Sequence, residues 1–212
     1  MADAYDVLSL EEAKSVVRIS STDSTLDTQL ARVITTVSRR LDDGIGPTIA
    51  RLVTAERHSG GRHKIELYAC PVLSVSSITE YQSTHAVNLT EETVGVEPTD
   101  GWYGERYRPQ PSLYSGVIVR RLGGFDYSFW YGAGNVAVTY TAGRTTTTSL
   151  VDARIKEAAG VMVRNWWRSY EQSAGGFDEY QVPQQNFPTF GVPKAAMEIL
   201  HDLWKPETGF GA

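Results

Sequence analysis

The apolar residues of this chain keep one period near its two ends and another in its middle, and that switch limits the possible folds more than any single motif. Leu26, Leu30, Val33, Ile34, Val37 and Leu41 recur in the steps of three and four that line one stripe of a helix. Gly44, Gly46 and Pro47 close this stretch. About eighteen residues make a rod of about 27 Å. Thr28, Arg32, Thr35, Arg39 and Asp42 fall on its opposite face, toward solvent or a neighbouring subunit. Upstream, Ser9-Leu10-Glu11-Glu12 has the form of a capping box, in which the Ser9 hydroxyl accepts from the Glu12 amide and the Glu12 carboxylate reaches back. A short helix over 10–17 follows. Towards the other end, Ser149-Leu150-Val151-Asp152 is a second start signal, and Ile155, Ala159, Met162, Val163 and Trp166 form the stripe of a helix reaching about residue 170. A last helix begins near Pro193 and carries Ala196, Ile199, Leu200 and Leu203.

Between these helices the period changes to two. The runs 52–55, 64–68, 73–79, 115–120 and 135–140 are β-rich, and several alternate apolar with polar residues, as half-buried strands do. Gly60-Gly61, Gly123-Gly124 and Gly132-Ala133-Gly134 mark turns, while Pro71, Pro109 and Pro111 belong at edges or in loops. The pattern predicts an α+β protein: a small helical bundle of N-terminal and C-terminal helices with an inserted antiparallel β sandwich or barrel domain. The helical body comprises 1–48 and 149–212, and the insert 49–148. Residues 171–192 are poor in aliphatic side chains and rich in Gly, Gln and Pro, so they read as an extended arm.

The residues offer little to a catalyst. The carboxylate pairs Glu11-Glu12, Asp42-Asp43 and Glu91-Glu92 sit at a helix start, a helix end and a loop. Adjacent residues on a helix diverge by about 100°, so such pairs do not converge on one substrate atom. His58 and His63 flank Gly60-Gly61 without an evident third ligand, His85 and His201 lie elsewhere, and Cys70 is the only cysteine. Cys70 reads as a small buried hydrophobe. No catalytic, cofactor or metal residue is therefore predicted, and the chain reads as a non-enzyme. With a net charge of −5 and no basic run, tight DNA binding is disfavoured, since phosphate binders carry a basic excess. No apolar run approaches a membrane span and the N-terminus is polar, which predicts a soluble protein, cytoplasmic when made, without a signal peptide.

Aromatic residues carry the remaining signal. Trp102, Tyr103, Tyr107, Phe125, Tyr127, Phe129, Trp130 and Tyr131 crowd the second half of the β region. They suit a core-and-edge cluster, a partner interface or a sugar platform. In the helix beyond, Trp166 extends the buried stripe and Trp167 points elsewhere. Candidate partner contacts are Trp130 and Trp167, with Phe177, Tyr180, Phe187 and Phe190 of the arm.

Three blocks in the same order resemble head–tail connector (head-to-tail adaptor) proteins of long-tailed bacteriophages. They are the opening Leu8-Ser9-Leu10-Glu11-Glu12-Ala13-Lys14 with Val17-Arg18-Ile19, the segment Pro71-Val72-Leu73-Ser74-Val75-Ser76-Ser77-Ile78, and Asn135 to Gly143 followed by Ile155-Lys156-Glu157-Ala158-Ala159. The resemblance covers about half of the chain, and the stretch from Glu171 to Ala212 runs beyond where that family often ends. It implies a structural virion protein of the phage neck: a ring adaptor, twelve-membered, between the portal protein and the next neck or tail-completion protein. DNA would pass through with only transient, non-specific contact. Twelve copies at −5 each carry about −60 formal charges, a surface unsuited to holding phosphates. The implied location is the virion neck, reached by assembly in the host cytoplasm, with no cofactor and no membrane. Two other classes fit parts of the pattern: a carbohydrate-binding or hydrolytic accessory protein built on the aromatic β region, and a nucleic-acid-binding packaging protein.

Overall fold

A computed structural model describes residues 3–174 and 192–204, with backbone alone for 169–174. It is an α+β structure whose chain divides into two compact units, one formed by 1–49 with 147–212 and the other by 50–146.

The helical unit contains α1 (Leu10–Val17), α2 (Asp27–Ile45), α3 (Ala153–Ala174) and α4 (Lys194–Ile199). The capping box forms as predicted: the Glu12 amide donates to the Ser9 hydroxyl at 3.1 Å, and the Ser9 amide to the Glu12 carboxylate at 2.8 Å. Leu30, Ile34, Val37, Leu41 and Ile45 of α2 are buried, as are Ile155, Ala158, Ala159, Met162 and Val163 of α3. Ala196, Leu200 and Leu203 are buried in the same unit. Fully burying one such aliphatic side chain is worth about 1.5–3 kcal/mol, so these stripes hold short helices that would be marginal alone.

Asp42 was placed on the open face of α2, but it is buried, and its carboxylate accepts the Thr48 amide at 3.0 Å to shape the chain leaving the helix. Ser149 does not start α3. Residues Thr148–Leu150 form a 3-10 turn, and Asp152 takes the capping role, accepting the Arg154 amide at 2.8 Å. The indole directions are reversed: Trp167 is buried, with 2% of its surface exposed, and Trp166 is half-buried. The reason is a second covered flank. A Cβ added at Gly160 would lie 3.4 Å from Val16, so α1 packs there, and Trp167, about two turns further on, lies against that same helix. The helix α3 also continues to Ala174, into the stretch read as arm, whereas 175–191 lies outside the described residues.

The β unit is one eight-stranded sheet: β1 (Arg51–His58), β2 (Lys64–Glu66), β3 (Val72–Gln82), β4 (His85–Glu91), β5 (Gly101–Arg106), β6 (Tyr114–Leu122), β7 (Phe125–Asp126) and β8 (Val136–Ala142). The order is β1-β8-β3-β4-β5-β6-β2, with β7 on β6. A further pairing of Val72 with Tyr114 joins β3 to β6, so β3, β4, β5 and β6 close on themselves like a barrel. The expectation of a purely antiparallel sheet is corrected at one pair, since β4 and β5 run parallel through Thr90–Gly101 and Glu91–Trp102. Ile65, Ile78, Leu89, Trp102, Ile118, Phe129, Val136, Val138 and Tyr140 fill the interior. Cys70 is half-buried rather than fully inside.

Candidate functional site

Two loops of the β unit, 59–63 and 127–135, are stitched together along their backbones. Gly60 donates to the Gly132 carbonyl and Gly61 to the Phe129 carbonyl, each at 2.9 Å, and Phe129 returns a bond to the Arg62 carbonyl at 2.9 Å. Asn135 locks the seam: its side-chain oxygen accepts the Gly60 amide at 2.9 Å, and its side-chain nitrogen donates to the Trp130 carbonyl at 2.6 Å. Only glycine fits at position 60, where a Cβ would sit 1.9 Å from the Trp130 carbonyl oxygen. The Gly-Gly pair was legible as a turn, but its use as a close contact for a second loop was not.

Beneath this seam lies a buried ion network. Arg120 and Glu80 are each 1% exposed at the side chain and 3.5 Å apart, and Arg120 also meets Asp100 at 2.6 Å. Arg120 donates to the Gly101 carbonyl at 3.2 Å and to the Arg121 carbonyl, and its guanidinium lies 5.6 Å from the centre of the Tyr127 ring. The second oxygen of Glu80 accepts the Trp130 amide at 2.5 Å. The charged pair therefore acts through the loop, fixing Trp130 and Tyr127 in place. Its main-chain partners extend the clamp, since the Arg120 amide donates to His63 and its carbonyl accepts from Tyr127.

Rigid support below leaves aromatic surface above. Trp130 is 48% exposed, Tyr131 88%, Phe125 78% and Tyr127 42%. Phe125 is presented by the two-residue turn Gly123-Gly124, with positive φ at both glycines and Leu122 paired to Phe125, the geometry that Gly-Gly favours in hairpins. Trp102 and Phe129 turn inward instead. The predicted aromatic crowd thus divides between core and surface. Of the contact residues expected from the sequence, Trp130 stands on this surface, Trp167 is packed inside the helical unit, and Phe177, Tyr180, Phe187 and Phe190 lie outside the described residues.

A second cluster surrounds Glu56. One of its oxygens accepts the Tyr140 hydroxyl at 2.6 Å; the other accepts the Tyr68 amide at 3.0 Å and lies 2.7 Å from His58 Nε2. Burial, and then the bond to Glu56, push the Tyr140 phenol far above its usual range, so it stays a neutral donor. Both carboxylate oxygens are engaged, and the cluster ties β1 to β8 and to the 67–71 loop. His63 faces Ser128 at 3.4 Å, apart from His58. Among the described residues, no group of three or more His, Cys, Asp or Glu comes together to hold a metal. No helix among them is long and apolar enough to cross a membrane.

The helical unit holds one feature that sequence reading missed. Arg18, from the end of α1, and Arg164 and Arg168, from α3, line a cleft of about 240 Å³ with Val16, Val17 and Trp167. No run of basic residues announces it, because Arg164 and Arg168 are spaced one helical turn apart on α3 and only packing of α1 on α3 brings the distant Arg18 to them.

No protein-family model matches the chain, and no curated protein does. Solved structures do. One is a chain in the neck of an empty gene transfer agent (GTA) particle computed with C6 symmetry, 15% identical, aligned over 97% of this chain and 93% of that one with a TM-score of 0.53. Another is a chain in the virion of a native gene transfer agent particle, 14% identical, with the same coverage and a TM-score of 0.54. At this identity the likeness is one of fold.

Proposed function

We propose that this chain is a structural protein of the neck of a tailed-phage-like particle, a ring adaptor between portal and tail rather than an enzyme. The observation that carries the reading is a fold shared over 97% of this chain and 93% of a chain from a particle neck. Likeness over a single unit would say less, because barrels and helical hairpins recur in unrelated proteins. In this reading the helices form the ring body and the β unit is an insert in their chain. The aromatic surface around Trp130 and the segment 175–191 meet the portal or the next neck protein. Trp and Tyr are enriched at such contacts. The ring is proposed to hold twelve copies, a number that the C6 symmetry used for the neck of one neighbour permits. DNA passes through the ring in transient contact, and assembly takes place in the host cytoplasm.

The test is negative-stain microscopy of the purified full chain mixed with portal protein. Rings seated on the portal are expected, with a deletion of 175–191 remaining folded but no longer joining head to tail. Portal particles that stay bare at saturating protein would overturn the reading. Normal joining by the deletion variant would remove the arm from it.

A further inference from the structure

The charges of the helical unit are sorted along its α1–α3 pair. Lys156 meets Glu12 at 2.5 Å and Gly160 faces Val16, so α1 and α3 run in the same direction. Around their first turns stand Glu11, Glu12, Asp152, Glu157 and, from the chain after α4, Asp202, which lies 3.8 Å from Arg154. Arg154 and Lys156 are the cations in that group, so five carboxylates face two positive charges. Glu11 and Glu157 are exposed, and neither has an ion-pair partner among the described residues. At the far end of α1 stand Arg18, Arg164 and Arg168 around their cleft, and no carboxylate among the described residues pairs with any of them. From Lys156 to Arg164 is eight residues, about 12 Å along the helix. Helix dipoles favour acids at N-termini, but they do not explain Arg164 and Arg168, which precede the last turn of α3.

We infer that the helical unit associates head to tail with a second copy of this chain, the cleft of Arg18, Arg164 and Arg168 receiving the acidic end around Glu11 and Glu157 of the next copy. The inference deepens the ring reading and rests on it. A ring uses heterologous contacts, in which two different patches of one surface complement each other, and the acidic excess at one end complements the three arginines at the other, where Lys14 offsets Asp27 and Asp23 is the remaining exposed carboxylate. Val16 and Val17, half-buried, line the cleft beside the arginines, and guanidinium groups clamp carboxylates in bidentate fashion.

Sedimentation velocity of the full chain at about 20 mM and about 500 mM salt reads this contact, because exposed ion pairs are screened over that range. The wild type should self-associate at low salt and dissociate at high salt. The double variants Arg164→Glu/Arg168→Glu and Glu11→Arg/Glu157→Arg should each weaken association at least about tenfold, with circular dichroism showing unchanged helix content. Mixed one to one, the two variants should associate with each other, since each then carries the charge the other needs. A wild type that stays monomeric at low salt, association unchanged in both variants, or a mixture that fails to recover overturns the inference. Rings that form on portal from both double variants overturn this contact but leave the ring reading standing. Salt-sensitive association without any ring on portal has the opposite meaning.

Discussion

Single residues in this protein do their work through what they hold in place. Glu80 is the clearest case: one oxygen neutralises buried Arg120 and the other captures the Trp130 amide. Breaking one side of a buried ion pair leaves an uncompensated charge, which costs about 3 kcal/mol or more. Glu80→Gln is therefore expected to lower the unfolding free energy read from a urea titration by about that amount and to change the fluorescence of Trp130. A loss under about 1 kcal/mol would show that Asp100 alone suffices for Arg120. Glu12 supplies a pH signature. Burial works to raise its pKa, but bonds from Lys156 and Ser9 outweigh it and hold the group below the usual carboxyl value of 4.5. A depressed folded pKa adds stability that is complete above the ordinary value and lost as pH falls through the folded one. Glu12→Gln should flatten the fall in melting temperature between about pH 6 and about pH 3. Asp6 works in reverse: burial raises its pKa, so the fold gains from its protonation as pH falls. An acid limb left unchanged in Glu12→Gln would assign the effect to other carboxylates.

At the scale of elements, β1 shows how a local irregularity preserves a face. Arg51 and Val53 face inward, and so do Glu56 and His58, a phase shift of one residue across Thr54-Ala55. The shift is a bulge between Val53 and Glu56, with Ala55 at φ 51 and its amide donating to the Thr139 hydroxyl at 3.1 Å. Without it Glu56 would point to solvent and lose Tyr140. A left-handed conformation costs a residue with a Cβ about 1 kcal/mol, so Ala55→Gly should stabilise the β unit by about that much in chemical denaturation, and Ala55→Val should destabilise it. A destabilising glycine would mean that chain entropy outweighs relief of strain. Strand prediction erred at this same level. The strands β4, β5 and β7 were missed because His85–Glu91 and Gly101–Arg106 have little apolar alternation: β4 buries only Leu89, and β5 opens with two buried residues and then half-exposed ones. Adjacent hairpins hold β4 on β3 and β7 on β6, and β5 lies between β4, by two parallel pairs, and β6, so pairing rather than an apolar alternation of their own makes them strands.

At the scale of the molecule, the aromatic surface and the sorted charges are the features open to a partner. Replacing Trp130 and Tyr131 together by Ala removes two exposed rings whose backbone anchors remain, so melting temperature should change little while joining of heads to tails falls at least about tenfold. Equal joining by this variant would assign the rings to solvent. What the sequence determined by itself were the features with short-range causes. The capping box, the stripes of α2 and α3 and the glycine turns each depend on residues within a few positions of one another, where helix and turn geometry act directly. Tertiary structure decided the rest. Which of Trp166 and Trp167 is buried depends on where α1 packs, 150 residues away in the chain. The closure of β3 onto β6, the seating of the Trp130 loop on Glu80 and Arg120, and the meeting of Arg18 with Arg164 and Arg168 likewise join distant positions. Contacts of that kind leave no periodic trace, because their energy arises only when the chain has already brought the partners together.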